Sequence, residues 1–267
     1  MLKSNVFRTK LRQSRVFKPK RREISFDVQQ TLPFSSPQVN RILRDFYEVL
    51  AKAIFEGKTR DRNNETNDIE PDLTDIERRR YIEVKCAGHT RRIMLKDEQI
   101  AKYARLQLSD FPIENPRIYF SMFRYAVRGI EEHVKDYRED QVINFLTANT
   151  SYMVGLPFSV IYHIHQHGLG LSKSGLYSRC ETERSNPVTN FSTRAFELFF
   201  AEPEQALADI SLNSDDFTIR RTKTSKRISV NSYPLIQFPI TLVNDNNDYH
   251  QKFIKRLREE RDSKVPF

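Results

Sequence analysis

The residues best equipped for chemistry lie in one short segment, Ile69–Lys85, which reads IEPDLTDIERRRYIEVK. Its patterning predicts two strand-like runs, Ile69–Ile76 and Tyr81–Cys86, joined by the charged turn Glu77–Arg80. Side chains two apart on a strand share a face, so Glu83 and Lys85 point one way while Ile82 and Val84 point into the core. If the strands pair, Asp72 meets Glu83, and two carboxylates come within bonding distance of one hard cation. Magnesium favours carboxylate oxygens plus waters in octahedral geometry, a site suited to phosphodiester substrates. Such an ion polarises a phosphoryl oxygen and lowers the pKa of a bound water. Lys85, beside two acids, can orient that water and offset charge developing on phosphorus.

Several elements must hold this segment in place. Ser36-Pro37 opens a helix as N-cap and first-turn residue, with Gly57 at the expected C′ position. Between them Val39, Ile42, Leu43, Phe46, Val49, Leu50, Ala53 and Ile54 recur at helical spacing and form one apolar stripe. Asp61–Asp68 is polar and reads as a loop. After the two strands a second helix is expected over Lys96–Leu108, stopping before Pro112, and Arg117–Tyr125 (RIYFSMFRY) reads as a buried strand. The order helix, strand, strand, helix, strand describes an α/β core of roughly 100 residues. Further on, Ile130–Asn149 and Phe196–Ile210 have helical character, Phe158–Ile164 fits helix or strand, and Gly168–Asn190 is loop-like. Phe217–Val243 alternates as strands do, and Tyr249–Arg261 reads as a charged helix.

With those elements placed, Pro71-Asp72 followed by Glu83-Val84-Lys85 resembles the signature of the PD-(D/E)xK nuclease superfamily, which includes restriction enzymes, Holliday-junction resolvases and RecB-type nucleases. The second helix adds Gln99 and Tyr103, four apart and on one face, a pair similar to the QxxxY element of RecB-like members, in which the Gln reaches toward the active site; the resemblance implies a catalytic role for Gln99 and a nucleic-acid contact for Tyr103. The resemblance spans Ser36 to about Tyr125. It implies a restriction-endonuclease-like α/β fold, a mixed central sheet flanked by helices, here with a C-terminal α+β extension. It also implies metal binding by Asp72, Glu83 and the Val84 carbonyl, and assistance to the nucleophile from Lys85. The expected activity is Mg²⁺-dependent hydrolysis of DNA, leaving a 5′-phosphate, with Mn²⁺ substituting for Mg²⁺. Many members carry a further acid on the first helix. The candidates here, Asp45 and Glu48, sit near the edge of the apolar stripe and nearly opposite it, so both are expected on a solvated face.

The charge distribution bears on partners. The chain of 267 residues has a net charge of +9. Met1–Arg22 contains nine cations and no acid, and the 35 Lys and Arg outside it match the 35 acids of the chain. That arm suits phosphate neutralisation, a solubilising terminus or an organellar presequence. Arg220, Arg221, Lys223, Lys226 and Arg227, interleaved with Thr and Ser, form a second basic patch of the kind that contacts phosphates. Arg78–Arg80 stand beside the catalytic hairpin. His163, His165 and His167 alternate in YHIHQH, which on a strand would stack three imidazoles on one face.

The organisation expected is a basic arm (1–30), a nuclease core (31–128) and a C-terminal extension serving as substrate-recognition lobe (129–267). DNA is the expected partner, with a homodimer or partner protein for double-strand cutting. No apolar run is long enough to span a membrane, and Cys86 and Cys180 alone fit a reduced, cytoplasmic setting. No GxxxxGK[ST], GxGxxG or Gly-x-Ser-x-Gly motif is present, which removes support for nucleotide hydrolysis, dinucleotide binding and hydrolase-elbow chemistry. The reading from another class is a non-catalytic nucleic-acid-binding or scaffolding protein. A nuclease acting on RNA would keep the same chemistry.

Overall fold

The apolar stripe and the Ser36-Pro37 start produce helix α1, Ser36–Phe55. Its Ile42, Leu43, Phe46, Tyr47, Leu50, Ala51 and Phe55 are buried. The helix closes one residue earlier than Gly57 implied. Glu56 itself takes the left-handed conformation, at φ 58°, and its N–H donates to the Lys52 carbonyl at 2.7 Å. The computed structural model describes residues 36–56, 58–59, 71–87, 92–110, 112–125, 134, 137–167, 177–180, 188–192, 199, 201–222, 228–230, 233–236 and 239–263. The basic arm and the patch residues Lys223, Lys226 and Arg227 lie outside these.

Strands β1 (Lys58–Thr59), β2 (Leu73–Asp75) and β3 (Arg80–Ala87) follow. After β4 (Arg92–Lys96) come α2 (Asp97–Gln107) and β5 (Arg117–Tyr125), the last with the bounds its composition predicted. Next are α3 (Glu139–Asn149), β6 (Thr150–Pro157) and α4 (Phe158–His167). Strands β7 (Tyr177–Cys180) and β8 (Val188–Ser192) fall within or across the edge of the stretch expected to be loop. Helix α5 (Pro203–Asp209) leads to β9 (Phe217–Thr222), β10 (Ile228–Val230), β11 (Tyr233–Ile236), β12 (Ile240–Asp245) and helix α6 (Asn247–Ser263).

These elements form an α/β architecture around an open, mixed sheet of seven strands in the order β1-β2-β3-β5-β6-β12-β9. Strands β3 and β5 are parallel, as are β6 and β12, and the other neighbours are antiparallel. Three strands from the second half of the chain complete the sheet, so the boundary at 128/129 runs through a single hydrogen-bonded layer. Strands β4, β8 and β7 make a separate small sheet, and β10 pairs with β11.

Two cores lie on opposite faces, because successive side chains of a strand alternate. Ile82, Tyr119, Phe123 and Met153 pack against α1 and α3. Tyr81, Ile118, Phe120 and Met122 pack with Tyr103 of α2, Phe158 and Ile161 of α4, and Phe253 of α6. No described helix is long and apolar enough to cross a membrane.

Candidate active site

The site is built where β2 begins beside β3. The antiparallel register pairs Leu73 with Ile82 and Thr74 with Tyr81, which carries Asp72 opposite Glu83. The Asp72 carboxylate bridges the two strands by accepting the Val84 backbone N–H at 2.7 Å. In a strand the N–H and C=O of one residue face the same neighbour, so the Val84 carbonyl lies on the Asp72 side too. Glu83, 7% exposed, and Ile82 are both buried; alternation along β3 shows in Tyr81 and Ile82 joining the cores on opposite faces of the sheet. The Lys85 ammonium donates to Glu83 Oε1 at 2.6 Å. The expected trio of Asp72, Glu83 and Lys85 therefore shares one end of the hairpin.

The electrostatics of Asp72 define the site. Burial, then the charge of Glu83, push its carboxyl up from 3.8 to about 7; the charge of Glu48 adds to them, while the Val84 N–H and Lys85 work in the opposite direction. Carboxylates gathered in a partly dehydrated corner disfavour one another's ionisation.

Glu48 is the main correction to the sequence reading of α1. It is 6% exposed and close enough to act on Asp72, whereas a solvated position was expected. A helical wheel counts only the helix's own apolar residues, and here β1, β2, β3 and β10 pack against α1 and enclose a flank the wheel left open. Asp45 keeps a half-exposed side chain, with Arg44 Nε 3.6 Å away, as its position predicted.

A second acid missed in the sequence is Asp75, 5% exposed. It accepts from the Arg78 N–H at 3.1 Å, Arg78 Nη1 at 3.2 Å and Arg80 Nε at 2.9 Å. Burial works to raise this carboxyl, but those Arg78 and Arg80 contacts outweigh it and hold it below its ordinary range. The clasp fixes the β2–β3 turn, where Arg79 adopts φ 50°, and so sets the register that puts Asp72 against Glu83. The spacing Asp75, Arg78, Arg80 within TDIERRR was the available signal.

Other expected contributors sit elsewhere. Gln99 uses its side-chain oxygen to accept the Lys96 N–H at 3.2 Å, closing the start of α2. Tyr103 is 1% exposed and packs edge-on to Phe120, with ring centroids 5.1 Å apart, and against Phe158 at 6.0 Å. It is a core residue with no surface for a nucleic acid, which corrects its expected binding role. YHIHQH lies on helix α4 instead of a strand. His163 stacks on His167 one turn away at 4.6 Å and faces the Ile210 carbonyl at 3.1 Å, while His165 lies 3.9 Å from Asp97. Arg220 and Arg221 are exposed on the edge strand β9, and Arg221 donates to the Ala201 carbonyl.

Whether a divalent ion fits can be judged from the donor set. Among the described residues no group of three or more His, Cys, Asp or Glu side chains is placed to hold a metal ion. Magnesium does not require such a group, since it binds through one or two carboxylates and keeps several waters. The carboxyl of Asp72, holding its proton to about pH 7 under the influence of Glu83 and Glu48, marks a place short of positive charge and rich in oxygen donors. Asp72, Glu83 and the Val84 carbonyl fit such an ion. Compared with protein-family models, curated proteins and solved structures, the chain matches none of them.

Proposed function

We propose that this chain is a metal-dependent DNA endonuclease of the PD-(D/E)xK type with a restriction-endonuclease-like core. The observation that carries the reading is the meeting of Asp72 and Glu83 across β2 and β3, with Lys85 2.6 Å from Glu83. Asp72, Glu83 and the Val84 carbonyl would hold Mg²⁺, with Mn²⁺ able to replace it. When bound, the ion supplies Lewis-acid activation of the phosphoryl group and of water.

The chain's own groups account for the rest. Asp72 must be ionised to serve, so its raised pKa links activity to pH values near and above 7. The Val84 N–H fixes the Asp72 carboxylate in one orientation, which lowers the reorganisation needed on binding. Lys85 has three N–H donors and uses one on Glu83. The other two can orient an attacking water and offset charge on the phosphate oxygens. Glu48 adds negative charge at Asp72 and strengthens the preference for a cation over a neutral ligand.

The test is incubation of the full-length protein with supercoiled plasmid, linear duplex and RNA, with Mg²⁺ or with EDTA. Cleavage of DNA that requires the ion and disappears in Asp72→Ala, Glu83→Ala and Lys85→Ala, each shown to be folded, supports the reading. DNA binding without cleavage under any of these conditions would replace it with a non-catalytic nucleic-acid-binding protein. Preferential cleavage of RNA would retain the chemistry and change the substrate.

A further inference from the structure

A second polar site lies along the other end of the sheet. A cavity of about 400 Å³ is lined by Arg78, Arg79, Glu114, Asn115, Arg117 and His250, beside the start of α6. The topology explains the location. The parallel pair β6 and β12 runs opposite to β3 and β5, so β12 ends at Asp245 where β5 begins at Arg117. Helix α6 starts immediately after, with its N-terminal turn at the same edge. Arg80, the neighbour of Arg79 and first residue of β3, precedes Glu83 by three residues, roughly 10 Å along an extended strand, so this cavity and the carboxylate site are distinct.

The cavity has a fixed floor and adaptable walls. Arg117 Nη1 donates to the Asp245 carbonyl at 2.8 Å and to Asp245 Oδ1 at 3.2 Å. Asp245 is 5% exposed, and His250, 4% exposed, places Nδ1 3.4 Å from it and Nε2 3.3 Å from the Asn115 carbonyl. These groups are held in place before any ligand arrives. Arg79, by contrast, is exposed and contacts Glu114 through Nη2 alone, at 2.6 Å to its carbonyl and 3.5 Å to its carboxylate. Arg258 lies beside the cavity and is not part of its lining; it donates through Nη2 to Oδ1 of the lining residue Asn115 at 2.9 Å. The Nε and Nη1 groups of both arginines have no hydrogen-bond partner among the described residues. A solvent-exposed pair such as Arg79–Glu114 is weakly held, so an incoming anion can displace it.

We propose that this arginine-lined cavity binds a phosphate group, carried either by a nucleic-acid backbone or by a free nucleotide. Planar guanidinium groups match phosphate oxygens in paired hydrogen bonds. The cavity has the volume of a nucleotide-sized site. The inference does not rest on hydrolysis at Asp72 and Glu83, and it can fail or hold separately from it.

The test uses the full-length protein in EDTA, where no metal-dependent turnover interferes. Binding of a fluorescein-labelled DNA duplex is followed by anisotropy and binding of AMP by calorimetry. The variant is Arg79→Gln/Arg258→Gln, both exposed positions, compared with Arg41→Gln/Arg105→Gln, which removes the same charge elsewhere. The expected result is a loss of about tenfold or more in the first variant only, with the slope of log affinity against log salt for the duplex reduced by about two. Loss for the duplex alone assigns the site to backbone phosphate, and loss for both probes assigns it to a terminal phosphate. No binding of either probe by the wild type, wild-type affinity in the cavity variant, or an equal loss in the control variant would overturn the proposal.

Discussion

Replacing Asp72 by Asn should stabilise the metal-free protein, although it removes a central acid. Above pH 7 the native protein carries an ionised Asp72 that its surroundings oppose, through burial first and then Glu83 and Glu48. Moving a carboxyl from 3.8 to about 7 corresponds to roughly 4 kcal/mol against the folded state once the group is fully ionised. Asp72 is partly exposed, and solvent screening lowers the expectation to about 2–3 kcal/mol. The sign follows from proton binding. The folded state binds the proton more tightly than the unfolded chain, so Asp72 reduces stability progressively as pH rises from about 4 to 7. Asn retains an oxygen for the Val84 N–H, and its amide can donate toward neighbouring carboxylates. Urea unfolding in EDTA should therefore show Asp72→Asn equal to wild type near pH 3.5, and more stable by about 2–3 kcal/mol at pH 8. Magnesium at about 1,000 times its Kd should reverse the order at pH 8, since it stabilises the form that binds it by about 4.1 kcal/mol. A difference that does not change with pH, or a variant less stable at pH 8 in EDTA, would refute the electrostatic account of the site.

Glu48→Gln removes one charge that raises Asp72, so the pH at which wild-type stability falls should move downward, and Mg²⁺ affinity measured by calorimetry should drop several-fold; an unchanged pH profile would separate Glu48 from the site. Asp75 behaves oppositely to Asp72, because its folded-state pKa is lowered. Its contribution is present above its ordinary value near 3.8 and is lost as pH falls below it, so Asp75→Asn should destabilise at pH 7, by roughly 1–3 kcal/mol, and little at pH 3. Tyr103→Ala should cost roughly 3–5 kcal/mol in denaturant unfolding, while Tyr103→Phe, with the ring retained, should bind a DNA duplex as tightly as wild type. A large loss of DNA affinity in folded Tyr103→Phe would return this residue to the nucleic-acid interface.

Local pattern was enough to mark several elements of this protein. The stripe from Ile42 to Ile54 announced α1, the aromatic run Arg117–Tyr125 announced β5, and alternation placed Glu83 and Lys85 on one face of β3, because helix and strand periodicities are properties of adjacent residues. Two kinds of information were absent from that pattern. Strands β6, β12 and β9 join the central sheet through partners far away in the chain, and no local signal in the second half says which strand lies beside which. Burial of a polar residue is likewise a property of what covers it. Glu48 became part of the site, and Tyr103 left it, because neighbouring elements enclosed one side chain in a charged corner and the other in an aromatic core. Residue types and spacing marked the candidate residues, whereas which of them come together was decided by packing from outside each segment.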